Sequence, residues 1–263
     1  MKTRCVADVV FCLDSSESMD PCLEGLRDNI TSFIEGIQGD GQNSWDVRFD
    51  FVSHQSLLNA QGGVVINHSS LYNSDLLDVL YGDVRGRFFT RDVGEFKAGI
   101  NRIKTKGDES PLIAIDSCLD FPWRDEGKGH RVVVFLTDEP FETCLQPEME
   151  KEYFDPVIQK IMDLKVIFFL IAPDSEGFER ISSADKSEYV VIESEVPGLT
   201  AVDFTNFDFR NLLSQIGKSV SVSSFGQQQS HPIKSVKRGV FGQSGWGVSE
   251  GLDTRDRTSS SNN

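Results

Sequence analysis

The sequence predicts an α/β domain with a mostly parallel sheet covered by helices on both faces. Three observations predict it. Apolar runs of strand length alternate with segments of helical periodicity over residues 1–220. Several of these runs are apolar throughout instead of alternating, as strands buried on both faces must be. The chain has 263 residues, 38% of them hydrophobic and 10% aromatic, which is enough for a sizeable core in one or two domains.

The elements follow in order. Val6 to Leu13 is nearly continuously apolar and reads as a buried strand. Pro21 opens a helix from its first turn, with Leu23, Leu26, Ile30, Phe33, Ile34 and Ile37 at helical spacing. Val47 to Val52 alternates, as a strand with one polar face or edge does. Gly62-Gly63 reads as a turn and Leu71 to Leu80 as a short helix. Phe96, Ile100 and Ile103 mark a further helix with Asp92 and Glu95 near its start. Ser110-Pro111 begins another, burying Leu112, Ile115 and Leu119. Val132 to Leu136 is a buried strand, and Tyr153, Val157, Ile161 and Leu164 make a helix. Val166 to Ala172 and Tyr189 to Ile192 are strands, and Phe209, Leu212, Leu213, Ile216 and Val220 form the closing amphipathic helix.

Composition changes near residue 221. Residues 1–220 hold 21 Lys+Arg against 38 Asp+Glu, whereas residues 221–263 hold 5 against 3, with 10 Ser and 6 Gly. The sequence therefore divides into a domain over 1–220 and a disordered Ser/Gly/Gln-rich tail over 221–263, too poor in apolar residues to offset its ordering entropy. The net charge of -15 argues against nucleic acid and anionic membrane as partners. No apolar run reaches the length of a membrane span, and the first residues lack the apolar stretch of a secretion signal. Five cysteines without a C-x-x-C pair suit a reducing cytoplasm.

In an open parallel sheet, ligands sit beyond the carboxyl ends of the strands. After Leu13 comes Asp14-Ser-Ser-Glu-Ser18-Met19, and after Leu136 comes Thr137-Asp138-Glu139. The polar stretch Lys106-Gly-Asp-Glu-Ser110 leads into the helix between them. Two carboxylates and several hydroxyls thus come from three loops on one sheet edge. Such an all-oxygen donor set suits Mg²⁺ or Mn²⁺. Local roles compete: Asp14, Ser16 and Ser110 are also good helix caps.

Asp14, Ser16 and Ser18 after an apolar strand, with Asp138 ending a later one, resemble the metal-ion-dependent adhesion site of the von Willebrand factor A family. The resemblance covers residues 6 to about 220. It implies a Rossmann-like, mostly parallel six-stranded sheet, a metal held by Asp14, Ser16, Ser18, Ser110 and Asp138, and no catalysis. The family places Thr where Ser110 stands; Thr90, Asp108 and Glu109 are alternatives for that position. Glu17 and Glu139 would stand at the rim facing a partner. The family function implied is a metal-dependent protein-binding module whose partner contributes a carboxylate. The acidic, signal-less form is similar to bacterial cytoplasmic members that act as assembly or regulatory subunits beside kinases, phosphatases or AAA+ ATPases, including in stress and defence.

Other chemistries lack their motifs. The four histidines have no zinc spacing, and there is no phosphate-binding G-x-x-x-x-G-K-[ST] or G-x-G-x-x-G after a strand. Two readings remain beside the binding module. One is a metal-dependent hydrolase or phosphotransfer enzyme, with Glu17 or Glu139 as its only nearby base or nucleophile. The other is a scaffold whose metal site is vestigial.

Overall fold

The computed structural model describes residues 4–38, 44–57, 63–68, 88–106, 110–125, 129–144, 151–192, 204, 207–226 and 238–241. The strands are β1 (Arg4–Asp14), β2 (Ser44–Leu57), β3 (Gly63–His68), β4 (His130–Leu136), β5 (Ile167–Ala172), β6 (Ser187–Ile192) and β7 (Arg238–Phe241). Their order across the sheet is β3-β2-β1-β4-β5-β6-β7. The inner five, β2 to β6 with β1 between β2 and β4, are mutually parallel.

The expected six-stranded sheet is thereby corrected. β3 extends one edge antiparallel to β2, and β7 extends the other parallel to β6, giving seven strands among the described residues. An edge strand needs only backbone pairing, so neither β3 nor β7 carries the long apolar run of a central strand. The segment expected as tail contributes to two elements. The last helix runs on to Gly226, and Arg238–Phe241 is β7. The remainder of that segment, and the helix expected over Leu71 to Leu80, lie outside the described residues.

Side-chain alternation on the central strands builds two cores. Val9, Phe11 and Leu13 of β1, with Val132, Val134 and Leu136 of β4, face one layer. That layer is α1 (Asp20–Gln38), α2 (Val93–Ile100) and α6 (Phe209–Gly226). Val10 and Cys12, with Val133 and Phe135, face the other. It comprises α3 (Pro111–Leu119), α4 (Phe154–Asp163) and α5 (Glu176–Ile181). Asp92 caps α2, accepting from the N–H groups of Gly94 at 2.7 Å and Glu95 at 3.1 Å.

The amino ends of the strands carry an ionic knot. Buried Asp8 accepts from Arg48 Nε at 2.8 Å, Arg48 Nη2 at 2.6 Å and the Arg124 backbone N–H at 2.9 Å. Nearby, Asp50 accepts from the N–H groups of Phe51 and Phe89, each at 2.8 Å. Phe89 has a φ of 63°, a left-handed conformation disfavoured for a bulky residue, and Asp50 helps to hold it there. Burial pushes the Asp50 carboxyl up to about 7. A carboxyl raised in the folded state binds extra protons between its unfolded and folded values. Its contribution to stability is therefore full near pH 4 and is lost as pH rises through about 7, a span worth about 4 kcal/mol at most. Asp50→Asn should remove that slope. In urea unfolding across this range, the variant's deficit relative to wild type should shrink as pH rises; a constant deficit would refute the assignment.

Candidate functional site

β1 and β4 are neighbours, but the chain winds away from them in opposite directions. After β1 it crosses through α1 to β2, and after β4 it crosses through α4 to β5. Their carboxyl ends thus form a switch point in strand order, where the loops diverge and leave a crevice. The chain places Asp14 at the end of β1 and Thr137-Asp138 just past the end of β4.

Asp14 is fully buried and bridges the two loops. Its Oδ1 accepts from the Ser16 N–H at 2.8 Å, and its Oδ2 accepts from the Thr137 hydroxyl at 2.9 Å. The Thr137 N–H in turn donates to the Ile171 carbonyl on β5 at 3.2 Å. The hydroxyls of Ser16 and Ser18 lie 3.1 Å apart. Ser18 also hydrogen-bonds the Asp138 side chain. Asp14, Ser16, Ser18 and Asp138 are therefore brought together.

Asp138 is 1% exposed, and its Oδ1 has no hydrogen-bond partner among the described residues. Burial raises its carboxyl above the ordinary value; the Ser18 hydrogen bond opposes this and the Glu139 charge adds to it. Cys22, in the first turn of α1, has its thiol pushed well up by burial and by the charges of Asp138 and Asp14.

The third loop approaches the first through its backbone. The Lys106 N–H donates to the Ser15 carbonyl at 2.8 Å. Ser110 is buried at the head of α3 and makes no side-chain capping bond, so capping does not occupy its hydroxyl. Asp108 and Glu109 lie outside the described residues. Thr90 is elsewhere: it bridges Phe49 on β2, and its hydroxyl donates to Glu95. Phe49 precedes His54, the β2 partner of Asp14, by five strand positions, or about 16 Å. Glu17 is exposed in the short 3-10 turn Glu17–Met19, and Glu139 is half-buried.

Two residues were not singled out from the sequence. Thr137 anchors Asp14, and its signal was only a hydroxyl next to Asp138. His54 is fully buried beside Asp14 in the sheet and stacks on Phe135 with ring centroids 5.8 Å apart. Burial pushes it down to about 3, so it is neutral at physiological pH.

The residues fit a hard divalent cation by the chemistry of their donors. They offer two carboxylates and a pair of hydroxyls, and one buried carboxylate oxygen, Asp138 Oδ1, has no partner among the described residues. No group of three or more His, Cys, Asp or Glu side chains is arranged to hold a metal among the described residues.

No helix among the described residues is long and apolar enough to cross a membrane. No protein-family model matches the sequence, and no curated protein matches it. Among solved structures, the chain is similar to a von Willebrand factor type A protein from Catenulispora acidiphila. The identity is 14% and the TM-score 0.49, over 82% of this chain and 43% of that one. This chain thus spans less than half of that protein's length.

Proposed function

We propose that the chain is a divalent-metal-dependent protein-binding module, acting inside the cell as an assembly or regulatory subunit. The observation that carries this reading is the buried Asp138 Oδ1, without a partner among the described residues, beside the Ser16 and Ser18 hydroxyls at the switch point of the sheet. Asp14, Ser16, Ser18, Ser110 and Asp138 would hold Mg²⁺ or Mn²⁺. A bound ion supplies a positive charge with positions that a partner's Asp or Glu can take, because hydroxyl ligands leave it under-neutralised.

The chain's own groups support binding over turnover. Asp14 is rigidly engaged by Ser16 and Thr137, which suits a fixed ligand better than a mobile base. His54 is sealed from solvent, and burial keeps the Cys12 and Cys22 thiols protonated. Without the ion, Asp14, Asp138 and the nearby Glu17 and Glu139 would repel an incoming carboxylate, so metal occupancy switches the sign of the interaction.

Calorimetric titration with Mn²⁺ tests the site directly. Ser110→Ala should weaken binding by about tenfold, the scale of one lost polar contact. Thr90→Ala should leave it unchanged. Equal responses from wild type and Asp138→Ala would mean that the site is vestigial. Phosphate- or ester-hydrolysing turnover in Mn²⁺ would instead favour an enzyme.

A further inference from the structure

Beyond the ligands themselves, charge is segregated along the sheet. The arginines Arg48, Arg91 and Arg124 gather near Asp8 and Asp46 at the amino ends of the strands. The carboxyl ends of β1, β4 and β5 are adjacent, and the loops and helix starts that follow them carry Glu17, Asp20, Glu139, Glu142, Asp174 and Glu176. All but half-buried Glu139 are exposed. The hydrogen bonds that order these groups leave their charge in place. Asp20 accepts from the Thr105 hydroxyl at 2.8 Å, and Glu142 accepts from the Gly177 N–H at 3.0 Å and the Ser175 hydroxyl at 3.1 Å. Among the described residues the cations on this side are Lys104 and Lys106, exposed on either side of Thr105, and Lys151 and Arg180, which line a cavity of about 320 Å³ together with Glu142, Glu176, Phe141 and Phe154. Arg180 is paired with Asp155 at 2.7 Å.

Asp138 Oδ1, buried and without a partner among the described residues, marks where a ligand enters this acidic face. We infer that the partner's carboxylate is carried on a basic segment, an Asp or Glu flanked within two positions by Lys or Arg. The inference rests on the metal-dependent reading above and names the partner class for it. One ion would attract one carboxylate, but the segments that follow the adjacent ends of β1, β4 and β5 carry six further carboxylates. Charges interact over roughly 8 Å at physiological salt, about two extended residues to either side of the bound acid. An acidic or neutral flank meets net repulsion there, whereas a basic flank completes a complementary pattern of a negative centre within a positive surround.

Three dansylated peptides test this: Asp flanked by two lysines on each side, Asp flanked by serines, and Asn flanked by lysines. Fluorescence titration at low salt in Mg²⁺ should show the Lys-flanked Asp peptide binding about tenfold tighter than the Ser-flanked one, with the gap closing at high salt. The double variant Glu17→Gln/Glu176→Gln, altered only at exposed positions, should reduce the preference to under about threefold while its thermal unfolding stays unchanged. Equal affinity for Lys- and Ser-flanked Asp, or no binding of either, overturns the basic-segment inference. The metal titration is a separate arm and decides the metal site by itself. If the Asn peptide binds as well as the Asp peptide and EDTA changes neither, the metal-dependent reading itself falls.

Discussion

Gly217→Ala and Gly36→Ala should each destabilise the protein by roughly 2–4 kcal/mol, although alanine is the better helix former by about 1 kcal/mol. The cause is the contact between α1 and α6, which is made backbone to backbone. A Cβ on Gly217 would stand 2.3 Å from the Phe33 carbonyl oxygen and 2.8 Å from the Ile37 nitrogen. A Cβ on Gly36 would stand 2.4 Å from the Ser214 carbonyl oxygen. Backbone cannot rotate aside as a side chain can, so the helices must separate and loosen Leu26, Phe33, Leu213 and Ile216 between them. Because the two glycines face one another across this contact, one separation relieves both clashes. The double variant should therefore lose less than the sum of the single losses. Urea unfolding gives all three values. A loss below about 1 kcal/mol in both single variants would mean that α6 is not seated on α1 in this way.

The parts of the fold written in continuous apolar runs were legible in the sequence. β1, β4 and β5 are such runs because both of their faces are covered, and the helices between them keep their spacing. β3, β7 and α5 were not legible. β3 and β7 are edge strands held by backbone pairing, and α5 is a short helix whose six residues give too few turns for a period. The site was legible to the extent that its groups follow strand ends. Asp14, Ser16, Ser18 and Asp138 come together because β1 and β4 are adjacent, and a motif spaced along the chain records that adjacency. Thr137 and His54 were not legible. The role of Thr137 is a single hydrogen bond across 123 residues, and that of His54 is a burial that no local pattern marks.

Asp14 and Asp138 should respond to mutation with opposite signs when no metal is present. Asp14 is satisfied by donors at both oxygens. Asp14→Ala would leave the Ser16 N–H and the Thr137 hydroxyl buried without their acceptor, a loss of about 2–4 kcal/mol in EDTA. Asp138 is the reverse case: a carboxylate oxygen buried without a partner among the described residues, in a group whose charge burial already disfavours. Asp138→Asn removes that charge and keeps an acceptor for Ser18, so in EDTA the variant should be as stable as wild type or more stable by up to about 1 kcal/mol. Saturating Mn²⁺ should reverse the order. An ion present at a hundred times its dissociation constant adds about 2.7 kcal/mol to a chain that binds it, and it adds nothing to either variant once its site is broken. Wild type should then exceed Asp138→Asn by roughly 2 kcal/mol and Asp14→Ala by more. The comparison separates structure from site, because a carboxylate kept for folding weakens the chain when removed in either condition. If Asp138→Asn costs the same stability in EDTA as in Mn²⁺, Asp138 is a structural group and the metal reading loses its central ligand.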